Sequence, residues 1–420
     1  MNSIPGSFLA TVANRIGTPF WFYDVATIRQ QISALRQFNV IRFAQKACSN
    51  IHLLKLMREE GVMVDAVSLG EIERALKAGY QIGSDPSPIV FTADLLDRAT
   101  FARVIELNIP VNAGSPQMLE QIGEVHPGHQ VWIRINPGFG HGHSQKTNTG
   151  GEQSKHGIWH ENLEESLRLV DRYELELIGL HMHIGSGVDY KHLQVVSEAM
   201  VQLVKRCNRN IQAISAGGGL SVPYRADESV VDTVHYFRIW DTARKQIENL
   251  FGHEVKLEVE PGRFLVAEAG GLVAELRAQK AVGSNYFILV DAGFNDLMRP
   301  AMYGSYHEIS VFQPNGRKRN GELRPTVVAG PLCESSDIFT QEEGGIVAPR
   351  LLPHAEVGDL VVIHNSGAYG ASMSSNYNSR PLLPEVLIEG SKFTVIRRRQ
   401  RIEELLALET TEVIIEEQIE

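Results

Sequence analysis

Cysteine is nearly absent: three residues in 420, at positions 48, 207 and 333. A sparse, odd set excludes a disulfide framework and reads as free thiols in a reducing cytoplasm. Long apolar runs are missing too. No stretch reaches 18 residues, so no membrane-spanning helix is expected. The N-terminal "MNSIPGSFLATVANRIGTPFWFYD" lacks the basic segment, apolar core and small-residue cleavage site of a secretory signal. Positive charge is not in excess: 40 Lys and Arg face 50 Asp and Glu, for a net charge of −10. With a pI of about 5.9, neither nucleic acid nor an anionic membrane is an expected partner. The one basic run, Arg397-Arg398-Arg399 with Arg401, reads as a solvated face. Short repeats and low-complexity linkers are also lacking.

What is present is an ordinary globular composition, 43% hydrophobic and 21% charged, enough for two or three domains. Apolar extended runs recur at 41–47, 62–67, 89–92, 109–113, 131–136, 177–184, 211–216 and 255–260. Helical patterns fill the gaps. "IHLLKLMREEG" closes on Gly61, a residue suited to end a helix. Ser68 and Glu71 have the spacing of a capping box, and Ser115-Pro116 reads as an N-cap with proline at the first helical position. The stretches "YKHLQVVSEAMVQLVKRC" and "TVHYFRIWDTARKQIENLF" carry apolar residues at three-to-four spacing. Eight strand–helix units predict a (β/α)8 barrel. A doubly wound open sheet would place a glycine-rich turn after its first strand, and none follows Lys46. Beyond about residue 268 the rhythm changes to strands and turns, with a short helix expected at "IEELLALE". The expected organisation is a barrel over 26–268 and a β-rich domain over 269–420, with residues 1–25 packing on the latter.

Chemistry in such barrels gathers at the C-terminal strand ends. Here those ends carry Lys46, Asp65, Asn112, Asn136, the pair His181 and His183, Gly217 to Gly219, and Glu260 to Arg263. Singly each has a bland reading. A strand-end lysine usually snorkels, a core histidine usually packs, and a glycine run is usually a turn. Together they place an amine, an imidazole, a glycine loop, a carboxylate and a guanidinium around one rim. Glycine backbone N–H groups can approach a phosphate closely, and Ser186 and Gly262 can add to that cradle. A lysine beside a phosphate cradle points to an aldehyde cofactor held as a Schiff base, pyridoxal phosphate. Glu260 suits the ring nitrogen, and His183 the ring face. A metal-dependent hydrolase using His181 and His183, helped by the "GHGH" at 140–143, is the competing class. Such enzymes usually carry the paired histidines on the first strand, whereas here they sit on the sixth.

The stretches "FAQKACSN", "VDAVSLGEIERAL", "HMHIGSG", "AGGGL", "EPGRFLVAEAG", "DAGFNDLMRPAMYGSYHEI", "AGPLCESSDIF" and "GAYGASMSSNYNSRPLLPEVL" resemble the bacterial diaminopimelate decarboxylase family of fold-type III pyridoxal-phosphate enzymes. The resemblance runs from about residue 18 to the C-terminus. It implies an alanine-racemase-like barrel followed by a β domain. It implies decarboxylation of meso-2,6-diaminopimelate to L-lysine, the last step of lysine biosynthesis. Lys46 would bear the cofactor, with His183 on its ring and Glu260 at its nitrogen. Asp65, Ser186, Gly217, Gly218, Gly219, Pro261, Gly262, Arg263 and Tyr369 are the other candidate cofactor contacts. Arg263, Arg299, Tyr303, Glu334 and Tyr369 would bind substrate, and Cys333 would donate the proton. An ordinary thiol holds its proton at neutral pH. A glutamate at the ring nitrogen argues against a racemase, which has arginine there. Arg299 can fork a distal carboxylate and Glu334 can take a distal ammonium. Polyamine-type relatives, the second reading, typically have Cys-Asp where this chain has Cys333-Glu334. A non-catalytic homologue would be expected to lack Lys46 or Cys333. Two departures are Cys48, where many relatives have Asn, and Gly187, where Gln is usual. Members are typically homodimers with shared sites. No metal is expected.

Overall fold

The computed structural model describes residues 4–140, 150–183, 185, 187 and 189–409. The chain divides into two compact units. One comprises Ile28–Pro223 and Asp227–Val266; the other comprises Met1–Thr27, Tyr224–Ala226 and Ala267–Glu420.

The first unit is a closed parallel barrel. Its strands are β1 (Val40–Ala44), β2 (Met63–Ala66), β3 (Ile89–Ala93), β4 (Val111–Ala113), β5 (Gln130–Asn136), β6 (Glu176–His181), β7 (Ala213–Ser215) and β8 (Lys256–Val259). Each pairs with the next, and β8 returns to β1 through Glu258 opposite Val40. All eight apolar runs of the sequence become barrel strands. Every residue of β1 is buried, as a parallel strand covered on both faces requires. The helices form where caps and apolar faces agree. Ser68 Oγ accepts from Glu71 N at 3.2 Å, while the Glu71 carboxylate accepts from Val67 N at 2.8 Å, one residue earlier than the capping box expected. Ser115 caps Pro116–Val125, with Met118 N donating to its hydroxyl. The long helices Tyr190–Cys207 and Thr233–Phe251 bury Leu193, Val196, Met200, Ile239, Trp240 and Ile247.

The second unit is a nine-stranded sheet. The strand Phe20–Asp24 lies inside it, antiparallel to Gly270–Val282 and parallel to Glu385–Glu389. Leu9, Val12, Phe20, Phe22, Val273, Val362, Val386 and Ile388 form its core. The short C-terminal helix spans Ile402–Leu406. The basic run is only partly a solvated face: Arg397 pairs with buried Glu385 at 3.1 Å, and Arg399 donates to the carbonyls of Thr18 and Pro19 at 3.1 and 2.8 Å. Among the described residues no helix is long and apolar enough to cross a membrane.

Candidate active site

Strand β1 stops at Ala44, two residues earlier than the sequence suggested, because Gln45–Ala47 turns into a 3-10 helix. Lys46 stands exposed on that turn rather than in the strand. The turn rests on the chain that leaves β8. Ala44 N donates to Pro261 O at 3.1 Å, and a Cβ on Gly262 would lie 3.2 Å from both Ala44 O and Ala47 Cβ.

Glu260 is the best-supported side chain at this end. His181 Nε2 donates to one carboxylate oxygen at 2.8 Å and Ser215 Oγ to the other at 3.1 Å. Gly217 N donates to Ser215 Oγ at 3.1 Å, which ties the glycine loop to the carboxylate. Burial pushes the Glu260 carboxyl upward, but His181, with Arg134 behind it, holds it well below the usual carboxylate range. Asp65 goes the other way: burial and then the charge of Glu260 raise it well above its ordinary value, against a hydrogen bond with Thr92 and the charge of Lys46. Two neighbouring carboxyls are thus driven apart, one anionic and one inclined to keep its proton. Arg134 is buried among them, its guanidinium lowered by desolvation against the pull of Asp94, Glu260 and Asp65.

His183 Nδ1 accepts from Gly218 N at 3.0 Å. Burial, then the charges of Arg134 and Lys46, pushes its pKa well below 6.5. The ring is therefore neutral, with its proton on Nε2. The glycine loop has no room for side chains. A Cβ would fall 2.2 Å from Met182 O at Gly217, 2.6 Å from Glu260 O at Gly218 and 2.4 Å from Gly185 O at Gly219. Gly217 and Gly219 also have φ of +61° and +102°, the left-handed region that favours glycine. Beside the loop lies a pocket lined by Gly218, Gly219, His192, Tyr236 and Trp240. Ser186 lies outside the described residues, as do His141 and His143.

The paired-histidine reading needs correction. Strand β6 ends at His181, so His183 is past the strand and the two do not share a strand face. One ring serves Glu260 and the other receives Gly218 N. Among the described residues no three His, Cys, Asp or Glu side chains gather as a metal site.

Arg263 opens the short helix Arg263–Val266 of the barrel unit, and the other remaining candidates belong to the β-rich unit. Arg299 and Tyr303 bound the short helix Arg299–Tyr303, and Arg299 is buried. Cys333 is an exposed free thiol. Its loop is fixed at several points: Cys333 N donates to Asn378 Oδ1 at 2.9 Å, Tyr377 OH donates to Glu334 Oε2 at 3.3 Å, and Asp337 accepts from Leu332 N at 2.7 Å. Tyr369 sits at φ +57°. Sequence reasoning missed Arg134, Ser215, Tyr224 and His307, and saw His181 only as a metal ligand. His307 lies inside the quoted "MYGSYHEI" stretch, which was its only signal.

Three features of the barrel end fit pyridoxal phosphate: the Lys46 amine, the side-chain-free cradle at 217–219, and a buried Asp65 oxygen, Oδ1, without a hydrogen-bond partner among the described residues. Fold and rim define a class, the barrel-type pyridoxal-dependent decarboxylases. The profile described as pyridoxal-dependent decarboxylase, pyridoxal binding domain, matches residues 25–267. A diaminopimelate decarboxylase of Streptomyces coelicolor is 67% identical over 407 residues, covering 97% of this chain and 92% of the relative. A solved diaminopimelate decarboxylase superposes with TM-score 0.93 at 63% identity, covering 95% of each chain. The Helicobacter pylori enzyme, solved with L-lysine, gives TM-score 0.83 at 32% identity over 95% of this chain and 98% of its own. The chain belongs to the diaminopimelate decarboxylase family.

Proposed function

We infer that the chain is a pyridoxal-phosphate-dependent carboxy-lyase that converts meso-2,6-diaminopimelate to L-lysine and carbon dioxide, the last step of lysine biosynthesis. Beyond family membership, the observation that carries the reading is Glu260, kept anionic by His181 beside a cradle built of glycine. Bound pyridoxal phosphate supplies the electron sink for the pair released as the bond from Cα to the carboxylate breaks.

In this reading Lys46 would hold the cofactor through its amine, Glu260 would sit at the ring nitrogen and favour its protonated form, and His183 would lie against the ring. Gly217, Gly218, Gly219, Pro261, Gly262, Arg263 and Tyr369 would hold the cofactor, several of them through its phosphate, and Asp65 would be a further contact; Ser186, the remaining candidate, lies outside the described residues. Arg299 grips the substrate's distal carboxylate and Glu334 its distal ammonium, with Arg263, Tyr303 and Tyr369 completing the contacts. Cys333 Sγ delivers the proton to the α-carbon. An amino acid without the distal carboxylate leaves a guanidinium unmatched, which is costly in a dry site. We place the enzyme in the cytoplasm as a homodimer, with Cys333 of one subunit serving the partner's Lys46. The exposure of Cys333 on its own chain and its three free cysteines support this reading.

The reading is tested by incubating the cofactor-loaded protein with meso-diaminopimelate, L-ornithine and L-lysine. Equimolar carbon dioxide and L-lysine should form from diaminopimelate, with the other two inert. Faster release from ornithine or lysine would overturn it. Sharing is tested by refolding Lys46→Ala with Cys333→Ala. Half the dimers become mixed, and activity should return to about a quarter of wild type by two-fold counting. No recovery in confirmed mixed dimers contradicts sharing.

A further inference from the structure

Among the side chains that meet Arg299 are two that no sequence pattern links to it. Its Nη1 donates to Tyr224 Oη at 3.1 Å and to His307 Nε2 at 3.0 Å. Its Cζ lies 4.9 Å from the centre of the Tyr224 ring. The Tyr224 and His307 rings meet edge to face, with centroids 5.4 Å apart and planes at 84°. Tyr224 comes from the short segment Tyr224–Ala226, which groups with the β-rich unit although barrel chain flanks it on both sides.

Donor and acceptor chemistry decides the state of His307. Its Nδ1 lies 2.9 Å from the carbonyl oxygen of His364. A carbonyl only accepts, so Nδ1 carries a hydrogen. A guanidinium only donates, so Nε2 presents its lone pair to Arg299. His307 is therefore the neutral Nδ1–H tautomer; a second proton would set N–H against N–H. The carbonyl that fixes the ring is itself anchored. It follows the strand Leu360–Ile363, which pairs with Ile309–Phe312, and His364 N donates to Glu308 O at 2.9 Å. The imidazole is thus mounted on the sheet.

Both Nη1 hydrogens have assigned acceptors, a ring nitrogen and a phenol oxygen. Two acceptors in different directions fix the rotation of the guanidinium plane. These two supports are neutral, so they orient the charge without cancelling it. A planar fork recognises a carboxylate only in the right plane, so that rotation bears directly on affinity.

We propose that His307 and Tyr224 are positioning residues that aim Arg299 at the distal carboxylate of the substrate. The proposal rests on the reading of Arg299 as the carboxylate grip. Its test separates the two with a pair of probes. L-lysine keeps that carboxylate and 1,5-diaminopentane lacks it. Binding of each to the cofactor-loaded full chain is measured by calorimetry, with thermal melting as a check on folding.

His307→Asn keeps a donor for the His364 carbonyl but offers Arg299 no acceptor. It should weaken L-lysine about tenfold, the effect of one hydrogen bond to a charged group. Diaminopentane affinity should not change. His307→Gln places an amide oxygen near the Nε2 position and should return L-lysine affinity to within about threefold of wild type. Tyr224→Phe keeps the ring and should cost L-lysine alone about threefold, and it carries the test if His307→Asn does not fold. Unchanged L-lysine affinity in these variants, or equal loss of both ligands, overturns the positioning role. Arg299→Met is the separate control. If it leaves L-lysine binding intact, the grip itself fails; if it abolishes that binding while Tyr224→Phe and His307→Asn have no effect, only the positioning fails.

Discussion

The two ends of the barrel use similar side chains in opposite ways. Near the N-terminal end, Arg42 of β1 and Glu258 of β8 are each 2% exposed and closed on one another. Nε meets Oε2 at 2.6 Å, Nη2 meets Oε1 at 3.2 Å, and Nη1 donates to Ser87 O at 2.7 Å. Two residues further along, Glu260 meets no guanidinium in a fork. It shares its field with Asp65, Arg134, His181 and His183. There burial and charge move each group: Asp65 is driven up, Glu260 down, and Arg134 down. Among the described residues, the buried side-chain atoms without a hydrogen-bond partner include Asp65 Oδ1 and both amide atoms of Gln45 at this end. A pair closed on itself has a purely structural place in a barrel wall, whereas unsatisfied polar groups are tolerated where something else is to bind. The same two strands thus carry a structural end and a chemical end.

The largest effect should follow Lys46→Ala. Loss of the amine should cut turnover by more than about 10³-fold, the scale of losing a catalytic side chain. The melting temperature should barely move, because Lys46 is exposed on its turn. A large loss of stability instead would erase the contrast between the ends. Arg42→Met is the mirror image. It strands the buried Glu258 carboxylate and should cost about 3–5 kcal/mol in urea unfolding. The folded fraction should keep wild-type kcat, and the double variant Arg42→Met/Glu258→Met should recover most of the stability. A kcat defect in that double variant would mean that the structural end also serves chemistry.

Asp65→Asn sharpens the comparison through pH. A carboxyl raised in the folded chain binds its proton more tightly there than when unfolded. Its burden on stability is absent below its ordinary value of 3.8 and grows as the pH climbs toward the raised folded value. The variant should therefore gain about 1 kcal/mol near neutral pH while losing activity, the usual trade at a functional site. The gain should vanish near pH 4. A gain independent of pH would place its origin elsewhere. The smallest effect should be Ser215→Ala, which removes one of the two donors to Glu260. A loss of about 1 kcal/mol in cofactor affinity is expected from one such hydrogen bond, and equilibrium titration with pyridoxal phosphate would measure it.

The barrel was legible because each strand is a short apolar run and each helix carries a local cap or apolar stripe. Lys46, Glu260 and the 217–219 glycines were legible because strand ends are where barrels keep their chemistry. Their supports were not. Ser215 meets Glu260 across 45 residues, His181 meets it across 79, and Arg299 meets Tyr224 across 75. No local pattern records such distances. Residues 1–25 were expected to pack on the β-rich domain, but the pairing of Phe20–Asp24 within its sheet was hidden for the same reason, since its partners begin at Gly270 and Glu385. The reading of His181 and His183 as one pair failed because β6 ends between them.

The central claim is that the chemical end of the barrel is built around Lys46. Borohydride reduction of the cofactor-loaded protein, followed by peptide mass analysis, tests it most directly. The account requires the reduced pyridoxyl group on Lys46, and no label in the Lys46→Ala variant. A label on any other lysine, or full retention of labelling in Lys46→Ala, would contradict it.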